Sequence, residues 1–189
     1  NEFFYLEPTG KPAPAGYVHV RNGAGWEGEI EEEFLKPFLF SLKEIDCYEV
    51  APMNLERKVL VCSWTKEDLR RRGKDGVFSY VEYGETQGFN RRPSVRGRRL
   101  WYVLPEQNLP DVVSNRFLGE RLGFPFLHDV LVCDVFFVGT FARVNGLTGT
   151  ALLNSIVSFL AAEVTSRKTY GIGVAYLYGP EIRGLSVLN

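Results

Sequence analysis

Hydrophobic positions fall into short runs with two different periods along the chain. Val59 and Val61 within Arg57–Trp64 predict a buried strand. Thr65 follows as a predicted N-cap, with Glu67 and Asp68 in the first turn and Gly73 as the C-cap after Arg70, Arg71 and Arg72. Val77, Tyr80, Val81 and Gly84 recur at helical spacing and predict a second short helix. Val130–Val138 is β-branched and aromatic except at Asp134, and predicts the strongest strand. A long helix is predicted from Ala151 to about Arg167, capped by Thr148 or Thr150, with Leu152, Ile156, Phe159 and Leu160 on one face. Tyr170, Ile172, Val174, Tyr176 and Tyr178 then alternate as in a half-buried strand.

The remaining segments are less periodic. Residues 8–28 hold eight Gly and Pro residues and read as loop, with one short strand at Tyr17–Val20. Glu29–Phe34 suggests the start of a short helix, ended by Pro37, and Leu100–Leu104 a strand. The expectation is an α+β fold of mixed small sheets with a few helices, including one long C-terminal helix. Residues 1–30 form a loop-rich opening segment and residues 31–189 the domain proper.

Composition places the chain among globular proteins: of 189 residues, 45% are hydrophobic, 24% charged and 14% aromatic, enough to build a core. No apolar run approaches the ~18 residues of a membrane span, and no secretory signal opens the chain. The start at Asn1 and the apolar stretch ending at Asn189 read as cuts in a longer protein. Cys47, Cys62 and Cys133 are odd in number and widely spaced, and Cys62 and Cys133 lie inside apolar runs, so buried free thiols in a reducing cytoplasm are expected.

The net charge of −1 hides an uneven distribution. Residues 1–57 carry 11 acidic and 5 basic side chains, whereas residues 58–99 carry 11 basic and 5 acidic. Arg91, Arg92, Arg96, Arg98 and Arg99 fall within nine positions of a predicted exposed loop, Gln87–Arg99, around Pro93 and Gly97. Arginine forks suit phosphate oxygens and guanine edges. Tyr80, Tyr83, Phe89, Trp101 and Tyr102 flank them with faces for stacking or packing, Trp101 favouring packing. The alternative is a solvated loop whose arginines pair with Glu82, Glu85 and Glu106.

Catalytic signatures are missing. The chain has no P-loop, no GxSxG elbow, no HExxH and no GxGxxG opening a helix. His19 and His128 stand far apart, which argues against a histidine metal site. Asp129 and Asp134, five residues apart on one predicted strand, would point to opposite faces. The Asp/Asn-Pro-Pro-aromatic loop of adenine methyltransferases and a glycine-rich strand-to-turn segment for S-adenosylmethionine are also absent.

The C-terminal third carries a family resemblance. Leu152-Leu153-Asn154-Ser155, an apolar helix, the turn Tyr170-Gly171-Ile172-Gly173-Val174 and Gly179-Pro180-Glu181-Ile182-Arg183-Gly184-Leu185-Ser186-Val187-Leu188 occur in that order. Earlier, Glu31 to Leu42 with Leu35, Pro37 and Leu39, and Arg98-Arg99-Leu100-Trp101-Tyr102, fit the same pattern. Together these resemble the target-recognition domain of gamma-class, TaqI-like adenine-specific DNA methyltransferases and fused restriction–modification enzymes.

The resemblance implies an α+β, specificity-domain-like fold that binds double-stranded DNA opposite an N-terminal methyltransferase domain of the same polypeptide. S-adenosylmethionine is then expected in the parent enzyme and no cofactor in this fragment, which alone would not be catalytic. The arginines at 91, 92, 96, 98 and 99 are assigned to phosphates or major-groove edges, and Arg143 in the loop Thr140–Thr150 is a further candidate contact. Asn154 and Ser155 are read as packing or hydrogen-bonding residues, Gly171 and Gly173 as turn formers. Two alternatives stay open: a specificity-subunit domain of a multisubunit restriction system, for which heptad spacer helices are lacking, and a protein-interaction module without DNA.

Overall fold

The computed structural model describes residues 2–106, 108–118, 122–141, 144–168 and 175–176. In chain order, the first elements are β1 (Tyr5–Pro8), β2 (Tyr17–Asn22), β3 (Glu27–Glu31), β4 (Leu35–Leu39), β5 (Glu49–Val50) and β6 (Lys58–Leu60). The helices α1 (Lys66–Arg71) and α2 (Asp75–Thr86) follow. Then come β7 (Val112–Ser114), β8 (Phe117–Leu118), β9 (Phe126–Leu127), β10 (Leu131–Val132) and β11 (Phe137–Gly139). Last among the described residues come α3 (Gly146–Leu153), α4 (Ile156–Thr165), β12 (Arg167–Lys168) and β13 (Ala175–Tyr176). The fold class is α+β, and the chain divides into two units, residues 1–38 with 55–107 and residues 39–54 with 108–189.

In the first unit β1, β2 and β3 form an antiparallel meander, β6 pairs with β1, and β4 with β6. The opening segment therefore carries three strands between its loops, where one short strand at Tyr17–Val20 is expected. Its glycines serve the turns: Gly10, Gly16 and Gly25 all have positive φ. Asn22 closes the β2–β3 hairpin, its Oδ1 accepting from the Ala24 and Trp26 amides at 2.9 Å each. The short helix suggested at Glu29–Phe34 is the end of β3 followed by one 3-10 turn, Glu32–Phe34. Pairing with β2 satisfies that backbone, and burial of Ile30 holds it there.

Helix α1 begins where its cap predicts: Thr65 Oγ accepts from the Asp68 amide at 3.1 Å, and Gly73 with φ +65 ends it. α2 buries Val77, Tyr80, Val81 and Gly84. Its Lys74 cap position offers no side-chain acceptor. Glu31, from the end of β3 and only 3% exposed, supplies one, accepting from the Gly76 amide at 3.1 Å and the Val77 amide at 2.9 Å. Gly76 permits this approach, because a Cβ there would lie 2.6 Å from the Glu29 carbonyl oxygen. Phe3 is the centre of the core, stacked on Tyr80 at 4.5 Å and tilted against Trp101 at 4.5 Å. The buried Tyr80 hydroxyl donates to the Phe3 carbonyl and accepts from Asn22 Nδ2.

In the second unit the strands run in the order β11-β7-β9-β5, with β5 parallel to β9, while β12, β13 and β8 form a small antiparallel sheet. Val130–Val138 is not one strand. A turn at Asp134 and Val135 separates β10 from β11, closed by the Phe136 amide on the Cys133 carbonyl and braced by Arg116 on the Asp134 carbonyl. The predicted long helix is likewise two, α3 and α4, bent by 59°. Asn154 and Ser155 make the break. Asn154 binds the Phe124 backbone twice, Oδ1 from its amide at 3.0 Å and Nδ2 to its carbonyl at 2.8 Å. Ser155 Oγ caps α4 through the Ser158 amide. Val112, Phe124 and Ala162 form one buried cluster of this unit, with Phe137, Phe141 and Phe159 packed on it. No single described helix is long and apolar enough to cross a membrane.

Candidate nucleic-acid interface

The arginine loop grows directly out of α2. Gly88, with φ +74, breaks the helix, and one 3-10 turn covers Phe89–Arg91. Amides of Val95 and Arg96 return to the Arg92 carbonyl, and that of Arg98 to Val95. The segment is irregular but anchored. Phe89 and Val95 are 2% and 1% exposed, and Trp101 and Tyr102 are 8% and 1% exposed. These apolar side chains are interspersed with the arginines, so the backbone is fixed inward while Arg91, Arg96 and Arg99 are exposed. Leu100–Leu104 is irregular with a turn at Trp101 and Tyr102, not the expected strand, and these two neighbours both bury their side chains, unlike adjacent residues on one strand face.

The five arginines of this loop differ. Arg91, Arg96 and Arg99 are exposed and have no carboxylate partner among the described residues. Arg92 lies over the Phe89 ring at 4.2 Å and pairs with Glu2 at 3.3 Å. Arg98 is half-buried, its Nη1 donating to the Val103 carbonyl at 2.7 Å, which closes the loop. Arg143 and the glycines of the Tyr170–Val174 turn lie outside the described residues, as does the Gly179–Leu188 segment.

Two of the three carboxylates expected to neutralise the loop are engaged elsewhere, and Glu106 pairs with no arginine among the described residues. Glu82 and Glu85 both face Lys66, at 3.7 and 2.8 Å, and Glu85 also accepts from the Trp101 indole N–H at 3.3 Å. Tyr80, Phe89, Trp101 and Tyr102 are buried and pack; they offer no open face for a base. Burial pushes the Tyr102 hydroxyl up to about 12 and that of Tyr80 higher still.

Two arginines outside the loop were legible in the sequence only as the end of α1. Arg70 lies over the Phe78 ring at 4.7 Å and Arg72 over the Trp64 indole at 4.5 Å, both exposed, while Arg71 pairs with Asp68. Lysine or arginine in a last helical turn is ordinary dipole matching, so no local signal sets these two apart.

Other chemistry-bearing groups have structural partners. His19 contacts Thr9 Oγ1 at 2.8 Å and His128 contacts Glu49 at 2.7 Å. Asp129 sits in a bend and Asp134 in a turn, and they do not share a strand. Cys62 and Cys133 are buried, and burial pushes the Cys62 thiol above its usual range. An open hollow of about 670 Å³ is lined by Tyr17, Glu31, Glu32, Glu33, Lys36 and Lys74, among others. Lys74 pairs there with Glu33, and the Glu31 carboxylate, bound to α2, raises the neighbouring Tyr17 hydroxyl. No group of three His, Cys, Asp or Glu suited to a metal occurs among the described residues. Comparison with protein-family models, curated proteins and solved structures returns no match.

Proposed function

We propose that this chain is the DNA target-recognition part of an adenine-specific methyltransferase, with methyl transfer performed by a catalytic domain outside it and S-adenosylmethionine bound there. One observation carries the DNA-binding half of this reading: Arg91, Arg96 and Arg99 are exposed and without carboxylate partners among the described residues, on a loop anchored by Phe89, Val95, Trp101 and Tyr102. A fixed backbone with free guanidinium forks holds donors ready for phosphates and base edges, at little ordering cost on binding. Methyltransferase membership rests on the ordered sequence elements from Glu31 to Leu188. Arg92 and Arg98, being engaged within the chain, act in loop shape first; Arg143 remains a candidate contact.

Fluorescence anisotropy with a labelled duplex of roughly 25 base pairs, about two turns of contact surface, tests the reading at several salt concentrations. Binding should weaken steeply as salt rises. Absence of binding at low ionic strength refutes it.

A second reading, a protein-interaction module, is favoured by the apolar face of α4, where Ile156, Val157, Leu160 and Val164 are 61–79% exposed. Under it the duplex does not bind, and sedimentation velocity shows association that Leu160→Asp abolishes.

A further inference from the structure

We infer that Arg70 and Arg72, at the end of α1, form a second phosphate-gripping element of the same DNA surface. The inference rests on the duplex-binding reading above and extends it to residues on a different element. A guanidinium has its five N–H donors in its own plane. Stacking on an aromatic ring uses the face of that plane and leaves every donor available. Arg70 lies over the Phe78 ring at 4.7 Å and Arg72 over the Trp64 ring at 4.5 Å, both exposed and without a carboxylate partner among the described residues, an arrangement that suits such stacking. Arg71, between them, is the contrast, because its donors go to Asp68. The alternation 70-71-72 therefore yields two steadied, unsatisfied forks flanking one neutralised charge.

Continuity with the arginine loop comes from Trp64. Its carbonyl accepts from the Tyr102 hydroxyl at 2.7 Å while its indole carries Arg72. Tyr102 lies three residues after Arg99 in the chain. A second lace runs from Lys66 on α1 through Glu85 to the Trp101 indole. One tie runs from α1 and the other from the residue just before its Thr65 cap, and both reach the segment that closes the arginine loop, so the two basic elements belong to one piece of structure in the first unit. The spacing of phosphates along a duplex requires such separated, pre-set cations; a single charge cluster would reach fewer of them.

The experiment uses the full chain and titrates the labelled duplex against wild type, R70Q/R72Q, R91Q/R96Q and F78L, each over a series of salt concentrations. Thermal melting confirms that each variant is folded. Removing two phosphate contacts should lower the slope of log affinity against log salt by about two units, for either arginine pair. F78L keeps both charges, so its slope should match wild type while affinity falls roughly two- to five-fold from the loss of stacking. If wild type and R70Q/R72Q share slope and affinity while R91Q/R96Q is impaired, the inference is overturned and the proposed function stands. If wild type does not bind, the proposed function falls and this extension with it.

Discussion

Replacing Glu31 by glutamine tests how the sheet of the first unit holds α2. The first N–H groups of a helix have no partner within it, and here the position that usually caps them is Lys74, which does not. Glu31 reaches across 45 residues of sequence to satisfy two of them, at 3.1 and 2.9 Å, from a site that is 3% exposed. Hydrogen bonds to a charged group contribute about 1.5–3 kcal/mol each, and a buried donor left without a partner costs about 1–3 kcal/mol. Glutamine keeps one acceptor oxygen, loses the charge that favours a helix N-terminus, and turns an NH2 toward a backbone N–H.

Glu31→Gln should therefore destabilise the transition that includes the first unit by about 2 kcal/mol, and Glu31→Leu by about 4 kcal/mol, since it orphans both amides. Glu32→Gln removes the same charge from an exposed neighbour and should stay within about 0.5 kcal/mol of wild type. Urea unfolding followed by circular dichroism measures all three. A second signature comes from Tyr17, whose hydroxyl is raised chiefly by the Glu31 charge: in Glu31→Gln it should ionise at lower pH, read by ultraviolet difference absorption. The reasoning is refuted if Glu31→Gln is no more destabilising than Glu32→Gln.

Two further outcomes follow from the same core. Gly84→Ala should lower the melting temperature although alanine is the better helix former by about 1 kcal/mol, because its Cβ would lie 2.5 Å from both Phe3 and Trp101 and overpacking costs about 1–3 kcal/mol; a raised melting temperature would contradict the packing described. For pH, Tyr102 and Tyr80 both ionise at higher pH in the fold than their ordinary value near 10, so the folded state keeps protons the unfolded chain loses. Stability is then fully present below about pH 10 and declines as pH rises toward 12, which pH-jump unfolding followed by circular dichroism measures.

The amino-acid sequence by itself determined what short-range hydrogen bonds and helical or strand periods encode. Thr65 and Gly73 bound α1, Val77, Tyr80, Val81 and Gly84 define the buried face of α2, and Lys58–Leu60 pairs within the predicted strand. Each depends on residues within a few positions of one another, so the local pattern suffices. Tertiary structure decided the rest. The strands between the opening glycines and prolines emerge only when β1, β2 and β3 pair, and Asn154 breaks an apolar helix because Phe124, thirty residues away, presents both an amide and a carbonyl to it. Arg92 and Arg98 looked equivalent to Arg91, Arg96 and Arg99, and were separated only by Glu2, ninety residues distant, and by the fold of the loop onto the Val103 carbonyl. Which guanidinium is free depends on what packs beside it, and neighbours brought together by chain closure leave no mark in the adjacent residues.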